Sequence, residues 1–554
     1  MDTRFEKTDA TAAELRDPDA FPRLDPESAA RMAAYGREER LPRGTLLFKH
    51  GDRSRDFFLI LEGSIEAFDL DDDGTPRVIV VQTERQFTGE LDLFNDRQIL
   101  VSGRTGMDSR LVRLKRGDFH RLVIGEPDIG EVIMRAFLLR HQSLMRQARG
   151  GAVLIGPGHG ADTLQLLRFL MRNAYPHRVL DTESDPQAHG LLASFALTEE
   201  QLPVVITPDH QVLRNPSAAE LADALGVTET VDPGYLFDLA VVGAGPAGLA
   251  AAVYAASEGL QTVVIEALAP GGQAGTSSKI ENYLGFPTGI SGQELADRAQ
   301  VQAQKFGARL LIARAVTGVD CEPPSFRLRL EGGRTLLTRA VIIATGARYR
   351  KLQVPELSRF EGQGIHYAAT AMEAALCPGE EVIVTGGGNS AGQAAVFLSR
   401  TVAHVHMLVR GHALAATMSD YLVQRILSSP RITLHLRCEV TELRGDKLLR
   451  EVAWTNRDTG ERTLRPIGNV FVMIGADPNT GWLKGCVALD EKGFVRAGQD
   501  REGRTLASPY ATTHPGVFTV GDVRAGSVKR VASSVGEGSA VVQAVHGFLH
   551  PNPE

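Results

Sequence analysis

Residues 236–266 read LFDLAVVGAGPAGLAAAVYAASEGLQTVVIE. An apolar strand runs into Gly243-x-Gly245-x-x-Gly248, an Ala-rich helix follows, Gly259 closes it, and TVVIE makes a second strand. In such a unit the first two glycines permit a tight turn and close approach of backbone to a pyrophosphate, and the third lets helix and strand pack. Pro246 and Ala247 open the helix, whose N-terminal dipole meets the phosphates. Glu266, at the end of the second strand, stands where an acid binds ribose hydroxyls. The stretch predicts a dinucleotide-binding α/β domain.

Residues 380–399, EEVIVTGGGNSAGQAAVFLS, repeat the design with Gly386-x-Gly388-x-x-Ala391, and Asn389 and Ser390 complete the loop. Its second strand, VHMLVRG, ends on Arg410 rather than on an acid. An arginine there suits a 2′-phosphate, which favours NADPH over NADH.

Around these two loops the chain has 554 residues, enough for three or four domains at roughly 150 residues each. Hydrophobic residues at 43% and charged residues at 23% are those of a soluble globular protein. A net charge of −7 argues against a nucleic-acid footprint. The absence of an apolar run of about 18 residues argues against a membrane span. The charged start, MDTRFEKTDATAAELRDPDA, is unlike a signal peptide, so a cytoplasmic protein is expected. Cys321, Cys377, Cys438 and Cys486 are widely spread and form no CxxC, which excludes a zinc ribbon and a local dithiol but not a pair that meets only in the fold. Four buried or idle thiols are the expectation. No cluster has metal-ligand spacing.

Between Phe21 and Leu122 the texture is β, with a turn at Gly63 and a hairpin tip at DDDG (71–74), followed by a helix from Pro127 to Gln147. Residues 151–230 alternate strand and helix, and TETVDPGY is a linker.

Residues 236–550 resemble the thioredoxin reductase family. The resemblance rests on the two glycine loops and on GGQ at 271–273, IENYLGFP at 280–287, ATGA at 344–347, MIGADPNT at 473–480 and VFTVGDV at 517–523. It implies an FAD-binding domain at 236–350 and 480–550, interrupted by an NADPH-binding domain at 351–479, both three-layered, in a homodimer. FAD contacts are implied for Gly272, Gln273, Asn282, Thr345 and Gly346, and Asp522 matches the aspartate that hydrogen-bonds the ribityl chain. In the family the NADPH domain rotates, so the hinges are expected near Arg348–Gln353 and Gly475–Gly481.

Two departures matter. The family's dithiol positions hold Ala368 and Ala371, and without sulfur there is no thiolate to exchange electrons with the flavin. Cys377 is single and cannot close the missing disulfide. Gly411, His412 and Ala415 follow Arg410 where the family has further basic residues, which keeps NADH as the alternative coenzyme. The implied activity is that of an FAD-dependent NAD(P)H oxidoreductase with no internal redox disulfide, passing electrons to a quinone, a ferredoxin-type protein, oxygen or another oxidant. Thioredoxin-reductase-like ferredoxin reductases also lack the dithiol but carry a C-terminal extension, whereas this chain ends at GFLHPNPE. The alternatives are a redox- or nucleotide-sensing regulatory flavoprotein and, by global similarity, a thioredoxin-disulfide reductase.

Residues 150–230 resemble a thioredoxin fold: LPVVIT carries Pro203 at the place of that fold's cis-proline, and IGPGHGADT replaces the CxxC turn. His159 in that turn reads as a turn residue, and the domain as one that docks a partner or spaces subunits. Residues 21–148 resemble a cyclic-nucleotide-binding β-roll, in which Glu90 of TGELDLF would accept from a ribose 2′-hydroxyl. Ile99 and Leu100 lie where a phosphate-clamping arginine belongs, with Arg97 and Arg104 to either side. A degenerate roll used for docking or dimerisation is therefore favoured over a cyclic-nucleotide site. The fold class expected is multidomain α/β: β-roll, thioredoxin-like domain, then two nucleotide-binding domains.

Overall fold

The aromatic residues of the N-terminal part gather into one core. Phe57, Phe87, Phe94, Phe119 and Phe137 meet with ring centroids 5.0–6.3 Å apart and are almost wholly buried. In the computed structural model the described residues are 18–551, without 53–55, 71–74, 95–97, 148–150, 196, 278, 322–324, 368, 370, 415–417 and 484. The DDDG tip, Arg97, Ala368, Ala415 and most of the acidic lead therefore lie outside the described residues. The chain divides into two units. The first runs to Gly156 and takes in Leu166–Val231 and Arg309–Ala313; the second holds Pro157–Gln165, Asp232–Ala308 and the chain from Arg314.

In the first unit α1 (Pro26–Ala33) starts at Asp25, whose carboxylate accepts the Ser28 N–H. Seven strands follow among the described residues: β1 (Arg37–Leu41), β2 (Leu46–Phe48), β3 (Phe57–Glu62), β4 (Ser64–Leu70), β5 (Pro76–Thr83), β6 (Ser102–Thr105) and β7 (Ser109–Leu114). They form two antiparallel sheets ordered β1-β7-β3 and β2-β6-β4-β5. Gly63 makes the β3–β4 turn at φ 93°, where a Cβ would lie 2.3 Å from the Ser109 hydroxyl. Helices α2 (Arg116–Gly125) and α3 (Pro127–Gln147) bring Phe119 and Phe137 into the core.

The chain continues through β8 (Ala152–Gly156), α4 (Ala161–Arg172), β9 (His177–Asp181), α5 (Pro186–Ser194), β10 (Val204–Ile206), β11 (Val212–Arg214) and α6 (Ala218–Ala224). The sheet order is β11-β10-β8-β9, parallel only between β8 and β9, and the Leu202–Pro203 bond ahead of β10 is cis.

The second unit begins at β12 (Leu236–Val242), α7 (Pro246–Ser257), β13 (Thr262–Glu266) and α8 (Gly292–Lys305). The short β14 (Arg309–Ile312) belongs to the first unit, where the Leu310 and Ile312 amides donate to Glu229 and Thr228. An antiparallel meander follows: β15 (Val316–Asp320), β16 (Phe326–Leu330) and β17 (Thr335–Ile343). β12 is parallel to both β13 and β17, and its all-buried run from Leu239 to Val242 is what a strand covered on both faces requires.

From β17 the chain leaves through β18 (Ala347–Tyr349) into α9 (Leu357–Phe360), β19 (Ile365–His366), α10 (Ala371–Ala375), β20 (Glu381–Thr385), α11 (Asn389–Leu398), β21 (His404–Val409), α12 (Asp420–Ser428) and β22 (Ile432–Leu436). A second meander, β23 (Cys438–Gly445), β24 (Leu449–Asn456) and β25 (Arg462–Arg465), precedes β26 (Val470–Val472). The parallel sheet is ordered β19-β26-β20-β21-β22. The chain returns by β27 (Ala476–Pro478) to β28 (Val517–Thr519), parallel to β17, and ends in α13 (Val531–Leu549). One parallel-sheet α/β domain is thus inserted into another.

Candidate functional site

The first glycine loop is shaped by close backbone approach. Gly243 has φ 108°, and a Cβ on it would lie 2.3 Å from the Ala344 carbonyl oxygen; one on Gly248 would lie 1.9 Å from the Gly243 oxygen. Gly245, the N-cap of α7, differs: a Cβ there meets nothing within 4 Å. The loop is closed where the protein needs packing and open where a phosphate would approach the helix N-terminus. Glu266 accepts the Ala244 amide at 2.8 Å and the Leu268 amide at 3.0 Å, which orients its carboxylate beside the loop.

Three distant segments converge here. A Cβ on Gly272 would lie 3.1 Å from the Gly245 Cα, so the GGQ turn sits on the glycine loop. The Gln273 side chain donates to the Ala347 carbonyl. Asp522 sits in the turn Gly521–Val523, and the bare Gly521 and Gly538 let that turn and α13 pack on Ala247 of α7. Its half-buried carboxyl is held above the usual Asp range, first by desolvation, with Lys529 opposing and Glu537 adding to the rise. It makes no side-chain hydrogen bond to the described residues. Asn282 is exposed.

Sequence reasoning missed the groups that hold this turn. Glu537 accepts the Gly521 amide at 2.7 Å and pairs with Arg524 through both oxygens. Neither lies in a motif with a fixed offset from the glycines.

The second loop repeats the geometry. Gly386 has φ 140°, with a Cβ position 2.2 Å from the Met473 oxygen, and Gly388 caps α11. Asn389 is turned inward to accept the Ser419 amide at 2.7 Å; Ser390 is exposed and Ala391 fully buried. Arg410 is exposed at the end of β21, and its carbonyl accepts from the Arg437 guanidinium at 3.1 Å.

The two connections expected as hinges pair with each other. β18 and β27 form an antiparallel ribbon, Arg350 pairs with Asp477 at 2.9 Å, and the Arg350 amide donates to Gly475. Thr345 and Asn479 clasp across it: the Thr345 hydroxyl donates to the Asn479 carbonyl at 2.8 Å, and the Asn479 amide group donates back to the Thr345 carbonyl at 3.0 Å. Gly346 has φ 60° at this crossing.

The cysteines correct the sequence reading. Cys321 and Cys486 are joined, with Cα atoms 6.0 Å apart and 165 residues between them, so four idle thiols is wrong for this pair. Closing a loop of that length stabilises the fold by about 5 kcal/mol in the chain-entropy treatment. Cys377 and Cys438 are free and buried, as expected. Burial pushes the Cys377 thiol up to about 12, and Glu380 and Glu373 add to the rise. Ala371 lies in α10, close in sequence to Cys377.

In the N-terminal part of the chain, Glu90 is held by His141 of α3. Arg140, next to it, donates to the Ala20 and Gly89 carbonyls at 2.7 and 2.8 Å and lies over the Phe87 ring. Ile99 packs with Phe48, Phe58, Ile60, Ile65 and Leu111, and Phe48 covers the bare backbone of Gly103. Leu100 is buried and Arg104 pairs with Glu66 at 2.9 Å.

Residues 237–538 match the pyridine nucleotide-disulphide oxidoreductase family, more than half of the chain. The chain belongs to that family. Residues 38–125 match the cyclic nucleotide-binding domain. The thioredoxin reductase of Mycolicibacterium smegmatis is 34% identical over 303 residues, which are 55% of this chain and 93% of that protein. A Bacillus subtilis protein named NADH dehydrogenase is 32% identical over 316 residues, 57% of this chain and 59% of its own length. Among solved structures, Lactococcus lactis thioredoxin reductase in its FR conformation superposes with a TM-score of 0.52 at 30% identity, over 56% of this chain and 99% of that one. The T. acidophilum thioredoxin reductase gives the same TM-score at 32% identity, covering 56% and 98%.

This family member is an FAD-dependent NAD(P)H oxidoreductase of thioredoxin reductase-like type, with FAD and NADPH as its cofactors. Both groups fit what is present. The open approach at Gly245 and the unpartnered Asp522 carboxyl suit a flavin dinucleotide, and the second cradle with its exposed Arg410 suits a phosphorylated nicotinamide dinucleotide. No group of three or more His, Cys, Asp or Glu residues able to hold a metal occurs among the described residues, and none of their helices is long and apolar enough to cross a membrane.

Proposed function

We propose that this chain oxidises NADPH through bound FAD and hands the electrons to an acceptor outside the chain, without a dithiol beside the flavin. The observation that carries this reading is an intact FAD cradle with alanine at both dithiol positions, 368 and 371. Cys377 offers no replacement, because a thiol pushed up to about 12 holds almost no thiolate at neutral pH. When bound, the flavin accepts hydride from the nicotinamide and releases electrons onward.

The chain's own residues bind and orient. Gly243, Gly245 and Gly248 admit the pyrophosphate to the α7 N-terminus, Glu266 faces the ribose, and Asp522 offers its carboxyl to the ribityl hydroxyls. Pro246, Ala247, Gly272, Gln273, Thr345 and Gly346 shape the same cradle, with Asn282 at its edge. Gly386, Gly388, Asn389, Ser390 and Ala391 receive the nicotinamide dinucleotide, and Arg410 pairs with its 2′-phosphate. The β18–β27 ribbon is the hinge on which the inserted domain turns. The acceptor is a quinone, a ferredoxin-type protein, oxygen or another oxidant, and the enzyme works as a homodimer.

The β-roll serves docking or dimerisation rather than cyclic-nucleotide binding, which its apolar interior and the Glu90–His141 contact support. The segment 150–230 is a thioredoxin-like domain without cysteines, a reading its sheet order supports. The filled roll also favours a second reading, a regulatory flavoprotein whose redox state is passed to a docked partner.

Anaerobic stopped-flow absorbance separates the two. Rapid bleaching by NADPH, then fast recovery with one acceptor class, establishes the reductase and names its substrate. Bleaching followed by slow recovery with every acceptor, together with a redox-dependent change in solution scattering, supports the regulator. No bleaching of bound FAD overturns both.

A further inference from the structure

The disulfide brackets the domain insertion in the chain. Cys321 follows β15 before the chain leaves the flavin domain through β18, and Cys486 lies just after it returns through β27, so the bond closes a loop that contains the whole inserted domain. Among the described residues from Asn479 to Val495, the return segment has no regular structure beyond the short turn Gly481–Leu483. It is fixed at the flavin end by the Thr345–Asn479 clasp. The disulfide fixes it at the other end of the sheet. Asp320, beside Cys321, is opposite Arg327, and Arg327 is opposite Leu337 near the start of β17, whereas the clasp follows the strand's end at Ile343. Six residues of strand separate the two levels, about 20 Å at the usual rise. That separation from the clasp leaves the sulfurs a mechanical role.

Its surroundings suit reversible chemistry. Cys321 is half-buried and therefore within reach of a small thiol, while Cys486 is 8% exposed. The His514 ring lies 3.0 Å from the Cys321 carbonyl, which ties the backbone at that cysteine to the segment carrying His514. The other two cysteines are buried, and burial raises both thiols, so neither competes in exchange.

We propose that Cys321–Cys486 is a thiol-exchangeable staple, a redox-modification site at which cellular thiols and disulfides set how freely the inserted domain moves. The inference rests on the reading of the ribbon as a hinge. In the reducing step the thiolate of a dithiol attacks the Cys321 sulfur, the sulfur–sulfur bond breaks, and Cys486 leaves as a thiolate that takes up a proton. The donor's second thiol then resolves the mixed disulfide, so Cys321 leaves protonated and the donor ends as a disulfide. Two electrons pass from donor to staple; a small-molecule disulfide of the same class reverses the step.

The test uses the full-length FAD-loaded protein. Protein purified without reductant is denatured and alkylated: two modified cysteines are expected, and four after dithiothreitol. The native protein is compared before and after dithiothreitol treatment and desalting. Tryptic cleavage at the exposed Lys492 is expected to accelerate several-fold on reduction, and flavin bleaching by NADPH to rise several-fold. C321S/C486S should match the reduced protein with or without dithiothreitol, whereas C377S/C438S should keep the difference. Four alkylated thiols without reductant, or equal cleavage rates in the two states, overturns the staple. Different cleavage with equal bleaching overturns its control of the enzyme. Loss of bleaching in both states instead defeats the flavin-reductase reading and leaves alkylation and cleavage to decide the staple.

Discussion

The two glycine loops share one backbone design and differ in what closes over them. The loop at Gly243 is met by the GGQ turn, by the Asp522 turn held through Glu537 and Arg524, and by the Thr345–Asn479 clasp. Among the described residues the loop at Gly386 is met by the Met473 carbonyl oxygen and, through Asn389, by the Ser419 amide, and Arg410 lies exposed. A dinucleotide enclosed by segments from distant parts of the chain leaves slowly, whereas one resting on an open loop exchanges each turnover. Similar local motifs, ending in Gly248 and Ala391, would thus serve a resident group and a travelling one, with the surrounding chain setting the difference.

The sharpest way to break this comparison is to fill both loops. Gly245→Leu places a side chain in open space rather than against backbone, so the fold survives and FAD is absent from the purified protein. Gly388→Leu should leave the protein yellow while bleaching by NADPH slows on the order of 100-fold. Loss of flavin from both variants would erase the distinction. Next in size, Arg524→Ala leaves Glu537 buried without its partner and should lower stability by about 3 kcal/mol, read in urea unfolding of the holoprotein, with FAD retention falling alongside. An unchanged midpoint would remove the Asp522 turn's support from the account. A smaller effect is expected from Arg410→Ala: KM for NADPH rises about tenfold and KM for NADH stays level, the loss of one charge-assisted contact. Equal changes for both coenzymes would mean that Arg410 does not read the 2′-phosphate.

The smallest expected effect concerns acid. On the inserted domain's sheet His435 lies 3.1 Å from His406, which contacts Glu381 and stacks near Trp454; His404 and Arg465 add positive charge. Desolvation first, then these charges, push His435 down to about 4 from an ordinary 6.5. As pH falls from 6.5 toward 4 the unfolded chain takes up this proton before the folded one does. The associated stability is therefore complete above that window and lost through it. His435→Gln should flatten the decline of the melting temperature over this range, and a decline as steep as that of the parent protein would assign the acid sensitivity elsewhere.

What was legible in the sequence was what is local. Each glycine loop, its strand and its helix lie within about thirty residues, and backbone geometry alone demands those glycines. The pairing of the two connections also follows from reading one domain as inserted in another. Three features were beyond reach because they depend on which distant segments meet. Cys321 and Cys486 are 165 residues apart, Glu537 reaches Gly521 from a helix face with no motif, and Asn479 is an ordinary polar residue until it faces Thr345. The β texture of the N-terminal part was legible in outline, since its glycine turn and first strands are local. That His141 holds Glu90 was not, because the two lie 51 residues apart and no motif spacing links them.

The clasp at the neck has an architectural consequence. The Asn479 amide donates to the Gly346 carbonyl at 3.1 Å, so the points where the chain departs and returns are already neighbours. β17 and β28 pair directly, Val341 opposite Val517 and Ile343 opposite Thr519, and no strand from the insert lies between them. Residues 347–478 are in this sense a graft on a continuous stem: excised and bridged by a short turn, they would leave the parent sheet with every strand in its place. Evolution and protein engineering are offered the same seam, at which one coenzyme-handling module can be exchanged for another without redesigning the domain that keeps the flavin.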